Sequence, residues 1–312
     1  MAEVIRADFT GGSPMPTQAV ATLNLGPKPG DLEHNLSLAE RAIREAKSLE
    51  PDLRWVVLPE LFTCGYSALE TVHLSAEDAE RGESARFFVS LARELGLCIA
   101  YGFAETVPGS VTGVFDSANL VGAGGVIATY RKRNLVETTP EYRVFTPGVE
   151  LPVVEAGGLR VALAVCWDLG FPEVAREAAA RGADLVLAPA AWRDPWGAQY
   201  GLACAARALD SGIHLASANQ IGDYPEARFS ATGHVYGPDG ARISHGFGAA
   251  SLADMDPGAP ERWRGFYGDT LPERERVSVV GGEPLEIERS AVSPLGLRPT
   301  LSAVSRLSLA DS

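Results

Sequence analysis

The sequence predicts an α/β protein in which sheets and helices form layers. Short apolar segments alternate with amphipathic segments along most of the chain, which is typical of strands that alternate with helices. Two turn signals, at 122–125 and 238–240, each separate two apolar segments and indicate antiparallel hairpins. The sheets are therefore not purely parallel, and we expect a layered sandwich with helices on the outer faces.

The predicted elements begin with a strand at 17–25 and a helix that Asp31 caps. In this helix the apolar side chains from Leu32 to Leu49 recur at spacings of three and four, which places them on one face. Further strands are predicted at 55–59, 97–104, 117–121, 126–130, 161–165, 183–188, 213–218, 232–236, 242–245 and 249–254, and further helices at 84–95, 172–181 and 198–211.

Composition divides the chain into three parts. Residues 1–16 are rich in Gly, Ser and Pro, and we expect a flexible leader there. Residues 17–256 carry the alternating pattern and are expected to form the folded domain. From 257 to 312 the periodicity fades, and we expect this C-terminal extension to lie at a subunit interface.

Composition also excludes several classes of partner. A formal net charge of -13 argues against nucleic acid and anionic membranes, because both are bound through basic patches. No apolar run approaches the length of a membrane span, and the first residues lack the apolar core of a secretory signal. The cysteines are widely spaced without a CxxC pair, and the histidines show no metal-ligand spacing. We expect a cytoplasmic protein without a metal site.

The stretch VALAVCWDLGFPE at 161–173 is the most informative part of the chain. Its small apolar residues predict a strand buried on both faces, and Pro172 and Glu173 suit the first turn of a helix. Cys166 then lies on the bend between strand and helix, where open α/β sheets place their reactive groups. Taken alone, Cys166 is equally compatible with a small buried residue.

Glu60 and Lys132 occupy the same kind of position as Cys166, since each follows a short apolar strand at once or within one residue. If the three strands run in the same direction, a carboxylate, an ammonium and a thiol meet at one edge of the sheet. The carboxylate can take the thiol proton, so that the thiolate attacks a carbonyl or nitrile carbon. The ammonium and the backbone N–H of Trp167 can stabilise the resulting oxyanion.

Three motifs in this chain resemble the signatures of the nitrilase superfamily of carbon–nitrogen hydrolases. They read LPELFTCGY around Glu60, YRKRNL around Lys132 and CWDLGFPE around Cys166, and the resemblance covers residues 17–256. It implies a four-layer α-β-β-α sandwich that assembles into homodimers or higher homo-oligomers, and an enzyme without a cofactor. It also implies a Glu-Lys-Cys triad at these three residues.

A fourth catalytic residue is expected in the loop after the lysine, because members of the superfamily often carry a second glutamate there. Glu141 matches by its spacing to Pro147-Gly148, and Glu137 is the alternative. Such a carboxylate could hold Lys132 charged and orient substrate or water.

The residues after the cysteine resemble the amidase-like branch, in which a Cys-aromatic-Asp sequence is followed by Phe-Pro-Glu. The tryptophan after the cysteine is shared with nitrilases, so this assignment stays open. D-amino-acid carbamoylases place arginines just after the motif to hold a substrate carboxylate, but this chain has Leu169 and Gly170 there. Arg193 and Arg143 are the unplaced alternatives for that role.

The substrate pocket is expected to be apolar, with Tyr66, Trp167 and Trp192 as substrate-binding residues and Phe145 as a further wall. Such a lining favours a neutral aliphatic or aromatic acyl group over a dicarboxylate. Packing in the core is the competing interpretation for each aromatic residue. Asp168 is expected to cap local amides.

The sequence thus predicts a thiol-dependent hydrolase that cleaves the C–N bond of a primary amide, its small-molecule partner, through a Cys166 thioester. An N-carbamoyl amine hydrolase is the first alternative and a nitrilase is the second. The alternative from another class is a catalytically silent dimerising scaffold, against which the complete set of three reactive residues argues.

Overall fold

Two β-sheets form the centre of the structure, and helices cover their outer faces. The computed structural model describes residues 16–67 and 69–267. The strands are β1 (Gln18–Leu23), β2 (Leu53–Val57), β3 (Cys98–Thr106), β4 (Val114–Gly122), β5 (Gly125–Arg131), β6 (Val153–Ala156), β7 (Leu159–Leu163), β8 (Leu185–Ala190), β9 (His214–Asn219), β10 (Gly222–Asp223), β11 (Arg228–Phe229), β12 (Val235–Tyr236), β13 (His245–Phe247) and β14 (Ala250–Met255). The helices are α1 (Leu32–Leu49), α2 (Glu83–Leu95), α3 (Glu141–Val144), α4 (Pro172–Ala180), α5 (Gly197–Ser211) and α6 (Ala259–Tyr267), with 3₁₀ turns at Leu69–Ser75 and Cys166–Gly170.

The first sheet has the strand order β13-β14-β1-β2-β3-β4-β5, and the second has the order β12-β9-β8-β7-β6. In the first sheet β1, β2 and β3 are parallel, and the antiparallel hairpin of β4 and β5 returns β5 to their direction. In the second sheet β7, β8 and β9 are parallel and flanked by antiparallel β6 and β12. The predicted mixture of strand directions is confirmed.

Apolar side chains bury the layers against one another. The two sheets pack face to face over a core that includes Val57, Leu163 and Leu187, and α4 and α5 contribute to the same core from beyond the second sheet. On the other side, α1 and α2 cover the first sheet through residues such as Ile43 and Phe88. The layers therefore follow the predicted order α-β-β-α.

Helix α1 shows how local sequence produces one of these layers. Asp31 caps the helix by accepting a 3.1 Å hydrogen bond from the backbone N–H of His34. The apolar side chains between Leu36 and Ala46 are buried against the first sheet, as their spacing predicts.

Several local features differ from the sequence-based expectation, among them the unpredicted short elements α3, β10 and β11. The hairpin expected around 238–240 amounts to β12 and an isolated bridge between Tyr236 and Arg242, because the chain then crosses to the first sheet and forms β13. Strand β6 was not predicted, and it pairs with β7 across Gly157 and Gly158, whose φ angles of 56° and 83° favour glycine. Helix α6 lies where no element was expected.

The leader expected at 1–16, apart from its last residue, and most of the extension expected at 257–312 lie outside the described residues. In the part of the chain that the structure describes, no helix has the length and apolar character that crossing a bilayer requires. Within the same residues, no group of three His, Cys, Asp or Glu side chains is arranged to hold a metal ion.

Candidate active site

Glu60 lies in the loop after β2 with its side chain fully buried. Its backbone N–H donates a 3.3 Å hydrogen bond to the carbonyl of Ala190 at the end of β8, which links the loop to the second sheet. Gly102 of β3 passes directly beside this loop, since its N–H donates to the carbonyl of Pro59 at 3.0 Å. A Cβ at Gly102 would lie 2.6 Å from the Cα of Glu60. A glycine is therefore required here, and β3 fixes the position of Glu60.

Lys132 follows β5, and three carboxylates surround its ammonium. Nζ lies 2.6 Å from Oε1 of Glu60, 2.6 Å from Oε1 of Glu141 and 3.4 Å from Oδ2 of Asp116. All four side chains are buried. Burial disfavours the charge on Lys132, but the three carboxylates outweigh burial and raise the pKa of Lys132 well above its usual range. Lys132 is therefore a permanent cation at neutral pH.

Glu141 begins α3 and is held by donors on both of its oxygens. Oε1 accepts a 3.2 Å hydrogen bond from the backbone N–H of Val136, and Oε2 accepts one from the phenol of Tyr66. Glu137, the alternative from the sequence, is exposed to solvent. Of the two glutamates, Glu141 is the one that reaches Lys132.

Cys166 is the first residue of the turn between β7 and α4, and its φ of 44° lies in the left-handed region that side chains rarely adopt. The residue is 6% exposed. Burial and the charge of Glu60 raise the pKa of Cys166 well above its usual range, against the opposing effect of Lys132. The resting side chain is therefore a thiol, and its use as a nucleophile requires a base.

Asp168 holds the turn of Cys166 through four hydrogen bonds. Oδ2 accepts from the backbone N–H of Val165 at 3.0 Å and from the phenol of Tyr130 at 2.9 Å. Oδ1 accepts from the backbone and side-chain N–H groups of Asn134 at 3.0 and 2.8 Å. These contacts agree with the expected capping of local amides.

A pocket of about 390 Å³ opens above Cys166, and the three predicted substrate-binding residues, Tyr66, Trp167 and Trp192, all line it. Its remaining walls come from the loops around the site and from the first turn of α5: Val136, Thr138, Thr139, Ala191, Arg193, Trp196 and Gln199. The expectation that Phe145 lines the pocket is wrong, because this ring is buried in an apolar cluster against which Tyr66 packs, and Tyr66 rather than Phe145 reaches the pocket.

One wall of the pocket is held in place by ring packing and hydrogen bonds. The rings of Trp167 and Trp192 lie with their centroids 5.3 Å apart, and Trp192 also packs on Tyr200 at 5.5 Å. Asn219 at the end of β9 fixes the backbone of Trp192, since Oδ1 accepts from its N–H at 2.6 Å and Nδ2 donates to its carbonyl at 3.1 Å. A substrate therefore meets a preformed aromatic surface.

The sequence of the chain matches a known protein family. The sequence profile of the carbon–nitrogen hydrolase family matches residues 19–263. The chain belongs to this family.

Named relatives of this carbon–nitrogen hydrolase include nitrilases and amidases. A probable nitrilase of Schizosaccharomyces pombe is 30% identical over 262 residues, which cover 81% of this chain and 96% of the relative. A nitrilase of Pyrococcus abyssi is 33% identical over 228 residues, which cover 72% of this chain and 83% of the relative. A glutamate-to-glutamine variant of the amidase from Nesterenkonia sp. AN1 carries the acetamide moiety of fluoroacetamide covalently at its active-site cysteine. It is 29% identical with a TM-score of 0.69, and the match covers 85% of this chain and 97% of that chain.

The hydrolase brings together all four residues that the sequence predicts to be catalytic, but from two sheets rather than from one sheet edge. Glu60 and Lys132 extend from the first sheet, whereas Cys166 follows a strand of the second. Glu141 reaches the cluster from α3.

Sequence reasoning missed Asp116, which lies beside Lys132 because β4 and β5 pair in the hairpin. The backbone N–H of Lys132 donates a 2.8 Å hydrogen bond to the carbonyl of Asp116. The predicted hairpin was the signal that could have found it, although the register of the two strands is needed to place residue 116 against 132.

Of the two unplaced arginines, Arg193 lines the pocket and Arg143 is exposed outside it.

Proposed function

We propose that this carbon–nitrogen hydrolase converts primary amides of neutral carboxylic acids to the acid and ammonia through a thioester on Cys166. The observation that carries the proposal is the position of Cys166 beneath an apolar pocket, with the charges of Glu60, Lys132 and Glu141 acting on its thiol. The amidase that carries an acetamide moiety on its cysteine supports the same nucleophile.

Acylation uses Glu60 as the general base. The thiol of Cys166 gives its proton to Glu60 as sulfur attacks the amide carbon, and the carbonyl oxygen becomes an oxyanion. Lys132 and the backbone N–H of Trp167 stabilise that oxyanion. Glu60 then gives the proton to the leaving nitrogen, so that ammonia departs and the thioester remains.

Deacylation repeats the same proton transfers with water. Glu60 takes a proton from the water that attacks the thioester carbon, the carboxylic acid forms, and the proton returns to the sulfur of Cys166. Glu141 keeps Lys132 charged and in place, because it lies 2.6 Å from Nζ while Tyr66 and Val136 hold its two oxygens.

The pocket lining supports a neutral acyl group, because it is mostly apolar and includes three tryptophans and Tyr66. A nitrilase is the second candidate, since two relatives at 30% and 33% identity carry that name. The same thiol could add to a nitrile carbon. An N-carbamoyl amine hydrolase would release carbon dioxide in addition to ammonia.

The test is ammonia release from a panel of primary amides, N-carbamoyl compounds and nitriles, with Cys166→Ala as the blank. We expect release from amides of neutral acids and an acyl adduct on the wild-type chain by intact mass with a slow substrate. An adduct on Cys166→Ala would contradict the assignment of the nucleophile. Release of ammonia from nitriles but not from amides would show that the enzyme is a nitrilase rather than an amidase. No release from any compound of the panel would favour the catalytically silent scaffold.

A further inference from the structure

Asp116 is a buried acid that the reaction above does not use. Its side chain is fully buried on β4, and Oδ2 lies 3.4 Å from Nζ of Lys132. Among the described residues, neither oxygen of Asp116 has a hydrogen-bond partner, and neither does Oε2 of Glu60. Buried acceptors without donors are costly, so three of them in one place indicate a missing proton.

One proton on Asp116 accounts for two of these three oxygens, because the protonated oxygen becomes a donor and Oε2 of Glu60 its acceptor. If Oδ1 carries the proton, Oδ2 remains beside the ammonium of Lys132 at 3.4 Å. Oε1 of Glu60 and Oδ2 of Asp116 both contact Nζ of Lys132, at 2.6 and 3.4 Å, so the two carboxyl groups are neighbours. A hydrogen bond between them is among the causes that raise the pKa of Asp116. Two carboxylates cannot hydrogen-bond to each other, whereas a carboxylic acid donates to a carboxylate. Burial and the charge of Glu60 raise the pKa of Asp116 well above its usual range, against the opposing effect of Lys132.

The net charge of the cluster also favours a proton on Asp116. With Glu60, Glu141 and Asp116 all ionised, a single ammonium would face three buried carboxylates. Such an excess of buried negative charge is relieved when one carboxyl takes a proton. Asp116 is the candidate, because Glu60 and Glu141 each lie 2.6 Å from Nζ and Asp116 lies farther away.

We propose that Asp116 is protonated in the resting enzyme and donates a hydrogen bond to Oε2 of Glu60, which makes it a positioning residue for the general base. The hydrogen bond fixes one oxygen of Glu60 while Lys132 fixes the other at 2.6 Å. The positioning role rests on the proposed function, whereas the proton itself can be observed without turnover.

The proposal predicts a loss of activity at alkaline pH. The groups that face Asp116 are Glu60 from the loop after β2, Lys132 after β5, Glu141 of α3 and Cys64. Burial and the charge of Asp116 raise the pKa of Cys64 to about 12. Loss of the Asp116 proton would place a second negative charge beside Glu60 and remove its donor. The decrease of kcat/KM at alkaline pH, its alkaline limb, would then reflect the loss of the proton from Asp116.

Two substitutions in the full-length chain separate the donor from the charge. Asp116→Asn keeps a neutral donor of the same shape, and Asp116→Ala removes the donor. Infrared spectra at neutral pH should show the C=O stretch of a buried carboxylic acid in the wild-type chain and not in Asp116→Asn. The alkaline limb of Asp116→Asn should extend to higher pH, and kcat of Asp116→Ala should fall roughly tenfold or more.

Ser117→Ala is the matched control, because Ser117 is a buried polar neighbour on β4 that hydrogen-bonds Glu105 at 2.7 Å instead. It should keep both the carboxyl band and the alkaline limb. If the wild-type chain lacks the carboxylic acid band, or if the band survives in Asp116→Asn, then Asp116 is not protonated in the resting enzyme. This test needs no substrate, so it is independent of the proposed function. Equal kcat in Asp116→Asn and Asp116→Ala overturns the positioning role. If Asp116→Ala does not fold, an unchanged alkaline limb in Asp116→Asn overturns it.

Discussion

The phenol of Tyr130 donates a 2.9 Å hydrogen bond to Oδ2 of Asp168, which ties the first sheet to the turn that carries Cys166. Tyr130 lies in β5, close to Lys132, and the same carboxylate oxygen accepts from the backbone N–H of Val165. One buried carboxylate therefore relates the position of the lysine to that of the cysteine, although the two come from different sheets.

Tyr130→Phe should weaken this link without changing the shape of the core. We expect the free energy of unfolding to fall by about 1 kcal/mol, because Asp168 loses one buried donor. The value of kcat/KM should also fall, since the turn of Cys166 is less well fixed. Denaturant unfolding and steady-state kinetics measure the two effects.

Tyr101→Phe is the matched control for Tyr130→Phe. Its phenol is equally buried and accepts a 3.0 Å hydrogen bond from Asn119, but it packs on Phe88 of α2, away from the pocket. It should cost similar stability and leave kcat/KM unchanged. An equal kinetic loss in both variants would contradict the role of the Tyr130 contact.

Gly102→Ala should displace Glu60, because the added Cβ would lie 2.6 Å from its Cα and 2.7 Å from the carbonyl oxygen of Pro59. A shift of that size at the general base is expected to lower kcat by roughly 10²-fold. Gly124→Ala is the control, since a Cβ there meets nothing within 4 Å. Steady-state kinetics of the folded Gly102→Ala and Gly124→Ala variants measure the difference in kcat. A normal kcat in Gly102→Ala would show that the loop of Glu60 tolerates the shift.

Local patterns predicted most of the elements because caps, turns and apolar periodicity act over a few residues. Helix α1 begins after Asp31, and β4 and β5 join at the glycine-rich turn at 122–125, as expected. Sheet membership was beyond such patterns, since it depends on contacts between residues far apart in sequence. This is why the strands before Glu60 and Cys166 were expected in one sheet and lie in two.

The same limit explains which site residues the sequence could supply. Lys132 and Cys166 carry reactive groups at strand ends, so their type and position drew attention to them. Asp116 is equally buried in the cluster, but it lies just before the strand predicted at 117–121, and its relation to Lys132 depends on hairpin register. Glu141 could be favoured over Glu137 by spacing, and the short helix α3 supplies the physical reason, because it turns Glu141 inward.

The raised pKa of Cys166 predicts how its thiol reacts with a small neutral disulfide. Burial and Glu60 leave less thiolate at a given pH than in a free thiol, so the rate should still rise above about pH 8.5, where a free cysteine is half ionised. A plateau below neutral pH would contradict this pKa shift. Cys166→Ala measures the background from the other three cysteines, Cys64, Cys98 and Cys204. Burial raises the pKa of all three, and that of Cys64 and Cys204 to about 12.

Lys132→Met should destabilise the fold in a pH-dependent way. It leaves the carboxylates of Glu60 and Glu141 buried without their cation, and removal of one partner from such a cluster costs about 3–5 kcal/mol. Carboxylates that lack the cation take up protons more readily in the folded chain than in the unfolded chain. The loss should therefore be largest at neutral pH and shrink as the pH falls toward about 4.

Urea unfolding of Lys132→Met at several pH values measures this dependence. Arg44→Met is the control, because Arg44 pairs with Glu94 at 2.7 Å on the solvent-exposed surface and should contribute little to stability. A pH-independent loss in Lys132→Met would mean that packing rather than charge is responsible. In addition, kcat of Lys132→Met should fall by roughly 10²-fold or more if Lys132 stabilises the oxyanion.

Arg193 should influence the choice between neutral and acidic substrates only weakly. It is the charged member of the pocket lining and is exposed, and within 16–67 and 69–267 its guanidinium forms no ion pair. An exposed charge pair contributes at most about 1 kcal/mol, so Arg193→Gln should reduce kcat/KM by less than roughly fivefold for an amide that ends in a carboxylate. The value for a neutral amide of equal length should stay unchanged. Arg143→Gln, exposed outside the pocket, should alter neither value. A loss of tenfold or more for the neutral amide would place Arg193 in direct contact with the acyl group.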